Sequence, residues 1–170
     1  MGILNGNPKK EPMHYGEVYK VWGYLAVSNG LLGGYQVWLN HVGDDDLKRF
    51  IEDGIKNVIK PEIQQLEELL KVNGVELPPS AADRPQADLE QIPAGARVSD
   101  PEIAVSLSAD IAAGLVTCST VIGQCIREDI AMMFTKFHAS KIEYGARLLR
   151  MKKDKGWVVP PPLHKDTAVE

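Results

Sequence analysis

The feature that most constrains this chain is an interruption. Helical periodicity fills residues 13–73 and 99–155. Between them, residues 74–98 carry Pro78, Pro79, Pro85 and Pro93 and almost no periodicity. Helix hairpin, long connection, helix hairpin is the chain order of a four-helix bundle with one crossover. Fully extended, 25 residues reach about 80 Å, whereas a helix of ~28 residues is about 42 Å long. The connection can therefore travel the whole bundle, as an up-down-down-up order requires. The expectation is an all-α four-helix bundle with helices at about 13–42, 44–73, 99–125 and 128–155. The crossover is 74–98, with an N-terminal tail at 1–12 and a proline-rich C-terminal tail at 157–170.

Local signals support this division. Gly43 stops the first helix, and Asp44, Asp45 and Asp46 put acids into the first turn of the second. Asn73-Gly74 followed by Pro78-Pro79 is a stop signal. Ser99, Asp100, Pro101 and Glu102 read as a cap, a first-turn proline and a capping box. Pro61 falls inside the second helix, so a kink or break is expected near residues 58–60. The first helix carries two apolar stripes. Val18, Trp22, Leu25, Asn29, Leu32, Gln36 and Leu39 form one; Tyr24, Val27, Leu31, Tyr35 and Trp38 form the other. A helix apolar on two sides must be covered on two sides: by the bundle core, and by a subunit interface. Gly23, Gly30, Gly33 and Gly34 suggest a kink or a close backbone neighbour.

Composition excludes several classes. Hydrophobic residues make up 44% and charged residues 25%, with a net charge of −4 and both signs dispersed, so nothing points to nucleic acid or an anionic membrane. The N-terminus has no apolar core of a signal peptide, which implies synthesis in the cytoplasm. The nearest approach to a membrane span is residues 21–42, read as a core helix because glycine and polar residues interrupt it. Cys118 and Cys125, seven apart on one helix, are about 10 Å apart, too far for a disulfide within that helix. They read as small buried apolar residues.

Bundles of ferritin-like connectivity can hold two metal ions, using Glu from two helices and Glu-x-x-His from the others. None of the four expected helices carries a Glu-x-x-His; the chain's one such spacing, Glu11 to His14, begins in the expected N-terminal tail. The polar residues at mid-bundle level are Asn29, Glu62, Asp110, and either His138 or Lys141. They make a buried polar cluster or, with Glu62, Asp110 and His138 converging, one degenerate site for iron or manganese. His14 and Glu17 lie one turn apart at the start of the first helix, and His41 lies beside the Asp44–Asp46 run. No triad, phosphate loop or zinc motif is present, and Ser, Cys and His show no sign of nucleophilic activation. Arg127, Glu128 and Asp129 read as the cap of the last helix.

Several segments resemble a family of small proteins from endospore-forming bacteria that are often labelled spore coat proteins and are distantly similar to the coat protein F group. They are His41 with Asp44–Leu47, the run Leu69 to Pro79, Ile126-Arg127-Glu128-Asp129-Ile130 with Met133-Phe134, and Leu148 through Gly156-Trp157-Val158-Val159-Pro160-Pro161-Pro162. The resemblance implies a ferritin-like bundle and a place in the spore coat, and supplies no catalytic residues. The favoured expectation is a non-enzymatic structural or interaction protein without a cofactor. It would form a homodimer or higher homo-oligomer through Trp22, Tyr24, Leu31, Tyr35 and Trp38, and meet other spore coat proteins through that surface and the proline-rich tail. The rival is a ferritin-like metal-binding protein or oxidoreductase built on Glu62, Asp110 and His138. A third reading is a small-molecule binding module using the glycine-rich groove of the first helix.

Overall fold

A computed structural model describes residues 11–80 and 82–164. The first ten residues of the expected N-terminal tail and the last six of the C-terminal tail lie outside the described residues. The described chain folds as α1 (Tyr15–His41), α2 (Asp45–Gly54), a π turn (Ile55–Ile59), α3 (Lys60–Val72), α4 (Asp100–Gln124) and α5 (Glu128–Asp154). Because α2, the π turn and α3 follow without a break, the molecule has four rods. The crossover contains two single turns of 3-10 helix, Leu89–Gln91 and Ala94–Ala96.

Three of the four rods begin where a side chain satisfies free backbone N–H groups; at the fourth, Arg127 holds the N-cap position of α5 without capping it through its side chain. His14 caps α1: its Nδ1 accepts from Gly16 N–H at 3.0 Å, and Glu17 accepts from His14 N–H at 3.1 Å. Asp44 accepts from the N–H groups of Asp46 and Leu47 at 2.9 and 3.0 Å. Glu102 accepts from Ser99 N–H at 2.8 Å at the start of α4. Gly74 and Gly156 both have φ of +70°, a conformation that penalises a Cβ. Val75 N–H then reaches Leu70 O at 2.9 Å and Trp157 N–H reaches Lys152 O at 2.8 Å, closing both helices.

The proline inside the second rod produces a π turn instead of a break. Pro61 has no N–H and crowds the carbonyl one turn earlier. Widening the preceding turn, with Lys60 N–H bonded to Ile55 O, accommodates it. The insertion shifts the buried face, so that Ile59 and Glu62 point inward.

Interhelical bonds fix the topology. The crossover follows α1 from its N-terminal part to its end. Trp22 Nε1 donates to Glu76 O at 3.0 Å, Gln36 pairs with Asp83 and Arg84, Asn40 with Pro85 and Ala87, and His41 Nδ1 accepts from Val98 N–H. Hence α4 starts beside the end of α1 and runs antiparallel to it. At the other end, Glu17 of α1 accepts from Ile126 and Arg127 N–H at 2.8 and 2.9 Å. Lys155, just past α5, bonds Asp44 at 2.6 Å. The order is up-down-down-up with one crossover.

The core has two lobes. One gathers Tyr35, Leu47, Phe50, Ile51, Leu107 and Leu148, with Phe50 and Tyr144 stacked at 4.1 Å. The other gathers Leu25, Leu66, Leu70, Ile130, Phe134 and Phe137. A Cβ added at Gly23, Gly30, Gly33 or Gly34 meets nothing within 4 Å, so these glycines mark open space and not the close backbone neighbour expected of them. Among the described residues, the stretch long and apolar enough to cross a membrane by length and composition is Ala94–Gln124, with 22% of its window buried; it is not residues 21–42. Its inner face (Ile103, Leu107, Ile111, Cys118, Val121) nonetheless belongs to the bundle core.

Candidate functional site

A groove of about 400 Å³ lies between α1 and α4, at the level where the two core lobes meet. Its walls are mostly apolar, with Val27, Leu31, Ile59, Ile111 and Ala113 among them. Its floor is an ion pair. Glu62, just past the π turn, receives Lys141 Nζ of α5 on both carboxylate oxygens at 2.5 and 2.6 Å. The two side chains are 7% and 13% exposed, so the pair sits largely out of water. Tyr24 donates its hydroxyl to Glu62 at 3.1 Å and lies 3.6 Å from Cys118 Sγ. Ser28 Oγ donates to Tyr24 O at 2.8 Å.

Gly114 makes this pairing possible. A Cβ there would lie 2.7 Å from Lys141 Cε, so the bare helix surface is the passage by which lysine crosses α4 to reach Glu62. Burial pushes the Glu62 carboxyl above its ordinary range, with Lys141 and Tyr24 pulling against it. Burial, followed by the Glu62 charge, also raises the Tyr24 phenol strongly. The Cys118 thiol is raised by burial, and Cys125 is pushed up to about 11 for the same leading reason. Neither thiol is in a disulfide.

The residues expected to bind metal do not converge. Glu62 is at the centre of the bundle. Asp110 lines the same groove from α4 and shares no bond with it. His138 is half-buried on α5, and Lys141, three residues along, takes its place against Glu62. Among the described residues, no group of three or more His, Cys, Asp and Glu could hold a metal ion. The cation at the centre is an ammonium. Its charge and three donors satisfy a carboxylate, and it leaves no open coordination position for chemistry of the metal kind.

The five residues expected to form a self-association stripe are also separated. Tyr24 and Tyr35 are 8% and 4% exposed. Leu31 and Trp38 pack against the core, and Trp22 is bonded to the crossover. The second cover of α1 is thus supplied in part by the chain itself, along Trp22, Gln36 and Asn40.

A second buried polar node locks the far end. Arg127 is 4% exposed and donates to Glu11 O, to Asn73 Oδ1 at 2.8 Å, and to both oxygens of Asp129. Arg127 holds the Asp129 carboxyl below its usual range. With Glu17, it ties together the starts of α1 and α5 and the end of α3. Sequence marks it only as a cap; the burial follows from three segments meeting there.

A family model described as a protein of unknown function, DUF3231, matches residues 1–168. The chain belongs to that family. Within reach of DUF3231, the chain is 57% identical over 164 residues to the uncharacterized protein YvdQ of Bacillus subtilis strain 168, covering 96% of each. It is 54% identical to the solved structure of a "putative spore coat protein" from Bacillus halodurans C-125, with a TM-score of 0.92 over 94% of this chain and 100% of that one. A conserved hypothetical protein of Mycobacterium tuberculosis shares the fold alone, at 15% identity and a TM-score of 0.64 over 79% of this chain and 96% of that one.

Proposed function

We propose that this chain is a non-enzymatic structural protein of the spore coat that works by self-association through the outward face of α4. The observation that carries this is the chemistry of that face. From residue 103 to 124 the helix has a single charged residue, Asp110. Its inner side is in the core, yet its outer side (Val105, Ala109, Ala112, Val116, Gly123) is exposed and uncharged, with Val105 at 56% and Val116 at 68%. A helix without charge on either side is ordinarily covered on both. Small outward residues let a second α4 approach to the short end of the usual 8–10 Å range. The coat label of the Bacillus halodurans relative supports the setting, and the one-crossover connectivity supports kinship with ferritin-like bundles and the coat protein F group. The tail, with Val159 and Leu163 exposed at 94% and 75%, suits contact with neighbouring coat proteins.

The test is light scattering on the intact chain and on a variant carrying both Ala112→Glu and Val116→Glu. The expected result is an oligomer that falls to the 18.7 kDa monomer mass with unchanged helical circular dichroism. An unchanged mass in the variant, or a monomeric parent at high concentration, removes this reading. Recovery in the core fraction of purified spores, and not in the coat extract, removes the coat setting.

A further inference from the structure

The groove between α1 and α4 holds two polar groups that the bundle leaves without partners. Asp110 is half-buried, and among the described residues its carboxylate accepts no hydrogen bond and meets no cation. Tyr35, 4% exposed, lines the same groove, and its hydroxyl also makes no hydrogen bond. Both line the one groove, Tyr35 from α1 and Asp110 from α4, and the Asp110 charge opposes ionisation of the Tyr35 phenol. The other buried polar groups are served: Glu62 by Lys141 and Tyr24, Glu17 by three backbone N–H groups, Arg127 by Asn73 and Asp129.

The groove's lining carries two cations, Lys20 and Lys141, and two carboxylates, Glu62 and Asp110, and they are unevenly placed along it. Lys141 is spent on Glu62. Lys20 lines the far end of the groove, its Nζ 3.9 Å from the Cβ position of Gly16 in the first turn of α1, about 28 Å along that helix from Tyr35. Between these ends runs an apolar wall that includes Val27, Leu31 and Ala113. The volume of about 400 Å³ falls within the roughly 300–1,000 Å³ of small-molecule sites.

The geometry points to a binding site for an amphipathic amine, its protonated amino group seated between the Asp110 carboxylate and the Tyr35 hydroxyl and its apolar body lying along the groove. An ammonium group is donor-only and a carboxylate acceptor-only, so the pair satisfies both. Removal from water pushes the Asp110 carboxyl above its ordinary range, and a bound cation relieves that cost. A fatty acid fails the same test, because it sets a second carboxylate beside the first. The groove's α4 lining (Asp110, Ala113, Thr117) borders, and does not include, the outward residues Val105, Ala112 and Val116.

The experiment uses three probes of equal chain length on the full chain near neutral pH, below their micellar ranges: decylammonium, decanol and decanoate, titrated by calorimetry. Decylammonium is expected to bind saturably at one per chain, at least tenfold tighter than decanol, with decanoate weakest. Asp110→Asn is expected to abolish the tenfold preference for the amine while decanol affinity stays constant, which shows the groove intact. Ala113→Trp, filling the groove, is expected to abolish binding of all three. Decanoate binding as tightly as decylammonium, an unchanged preference in Asp110→Asn, or saturable binding of none of the probes overturns the proposal.

Discussion

Replacing Lys141 with methionine isolates the central ion pair. The substitution keeps most of the stem and deletes the charge, leaving Glu62 with Tyr24 as its one remaining donor. At 2.6 Å, two unit charges attract by about 6 kcal/mol at an effective dielectric of ~20, and desolvation offsets much of this. Removing one partner of a buried pair nevertheless costs about 3–5 kcal/mol, because the other is left buried alone. For a chain of this size that lowers Tm by roughly 6–20 °C. The loss has a pH signature. In the folded protein the Glu62 carboxyl already lies above its ordinary range, and without lysine it rises further. An acid whose folded value is raised favours the fold below its unfolded value and loses that contribution as pH rises through the folded one. The deficit of Lys141→Met relative to the parent therefore grows from about pH 5 to about pH 8. Urea unfolding followed by circular dichroism at both pH values measures it. Combining Lys141→Met with Glu62→Leu is expected to restore stability to within about 1 kcal/mol of the parent, or above it. A deficit under about 1 kcal/mol, or one equal at both pH values, refutes the reasoning.

Gly114→Ala puts a methyl group 2.7 Å from Lys141 Cε and is expected to cost about 1–3 kcal/mol by overpacking, read as a fall in Tm smaller than that of Lys141→Met. Arg127→Ala removes the donors to Asn73 and Asp129 and is expected to cost about 3 kcal/mol. Asp129, depressed by Arg127 in the folded chain, contributes stability above its unfolded pKa that is lost as pH falls through the folded one; in the variant this acid limb flattens in a pH titration of stability. Cys118 and Cys125, both raised by burial, are expected to react with a thiol reagent at neutral pH many times more slowly in the native chain than in urea, since the thiolate is the nucleophile. Equal rates in the two conditions count against the burial described.

The bundle and its crossover were legible because local signals and spacing agree. Asp44, Glu102, Gly74 and Gly156 cap helices where their chemistry predicts, and the proline-rich gap is long enough to travel the whole bundle. The level of the polar centre was legible too, since Glu62, Asp110, His138 and Lys141 share it. Which of His138 and Lys141 meets Glu62 was not, because the choice rests on a missing side chain at Gly114 on a different helix. The α1 stripes misled for a related reason. Hydropathy shows that Tyr24, Tyr35, Trp22 and Trp38 need cover, but not whether core, crossover or a second chain provides it. The proline at 61 announced a disturbance, and its resolution as a π turn depended on tertiary packing that favoured an unbroken rod.

The crossover is bonded along α1 through side chains at positions 22, 36, 40 and 41, while the two hairpins on either side of it close through short turns of their own. The connection is therefore held in place by the bundle it joins, and continuity of the peptide there adds effective concentration more than geometry. Severed near Pro79, the molecule becomes two helical hairpins with matched apolar faces, a heterodimer whose halves find each other by the same surfaces. The fold is in that sense an assembly before it is a chain, and lengthening the strap at that point costs only the slow logarithm of loop closure.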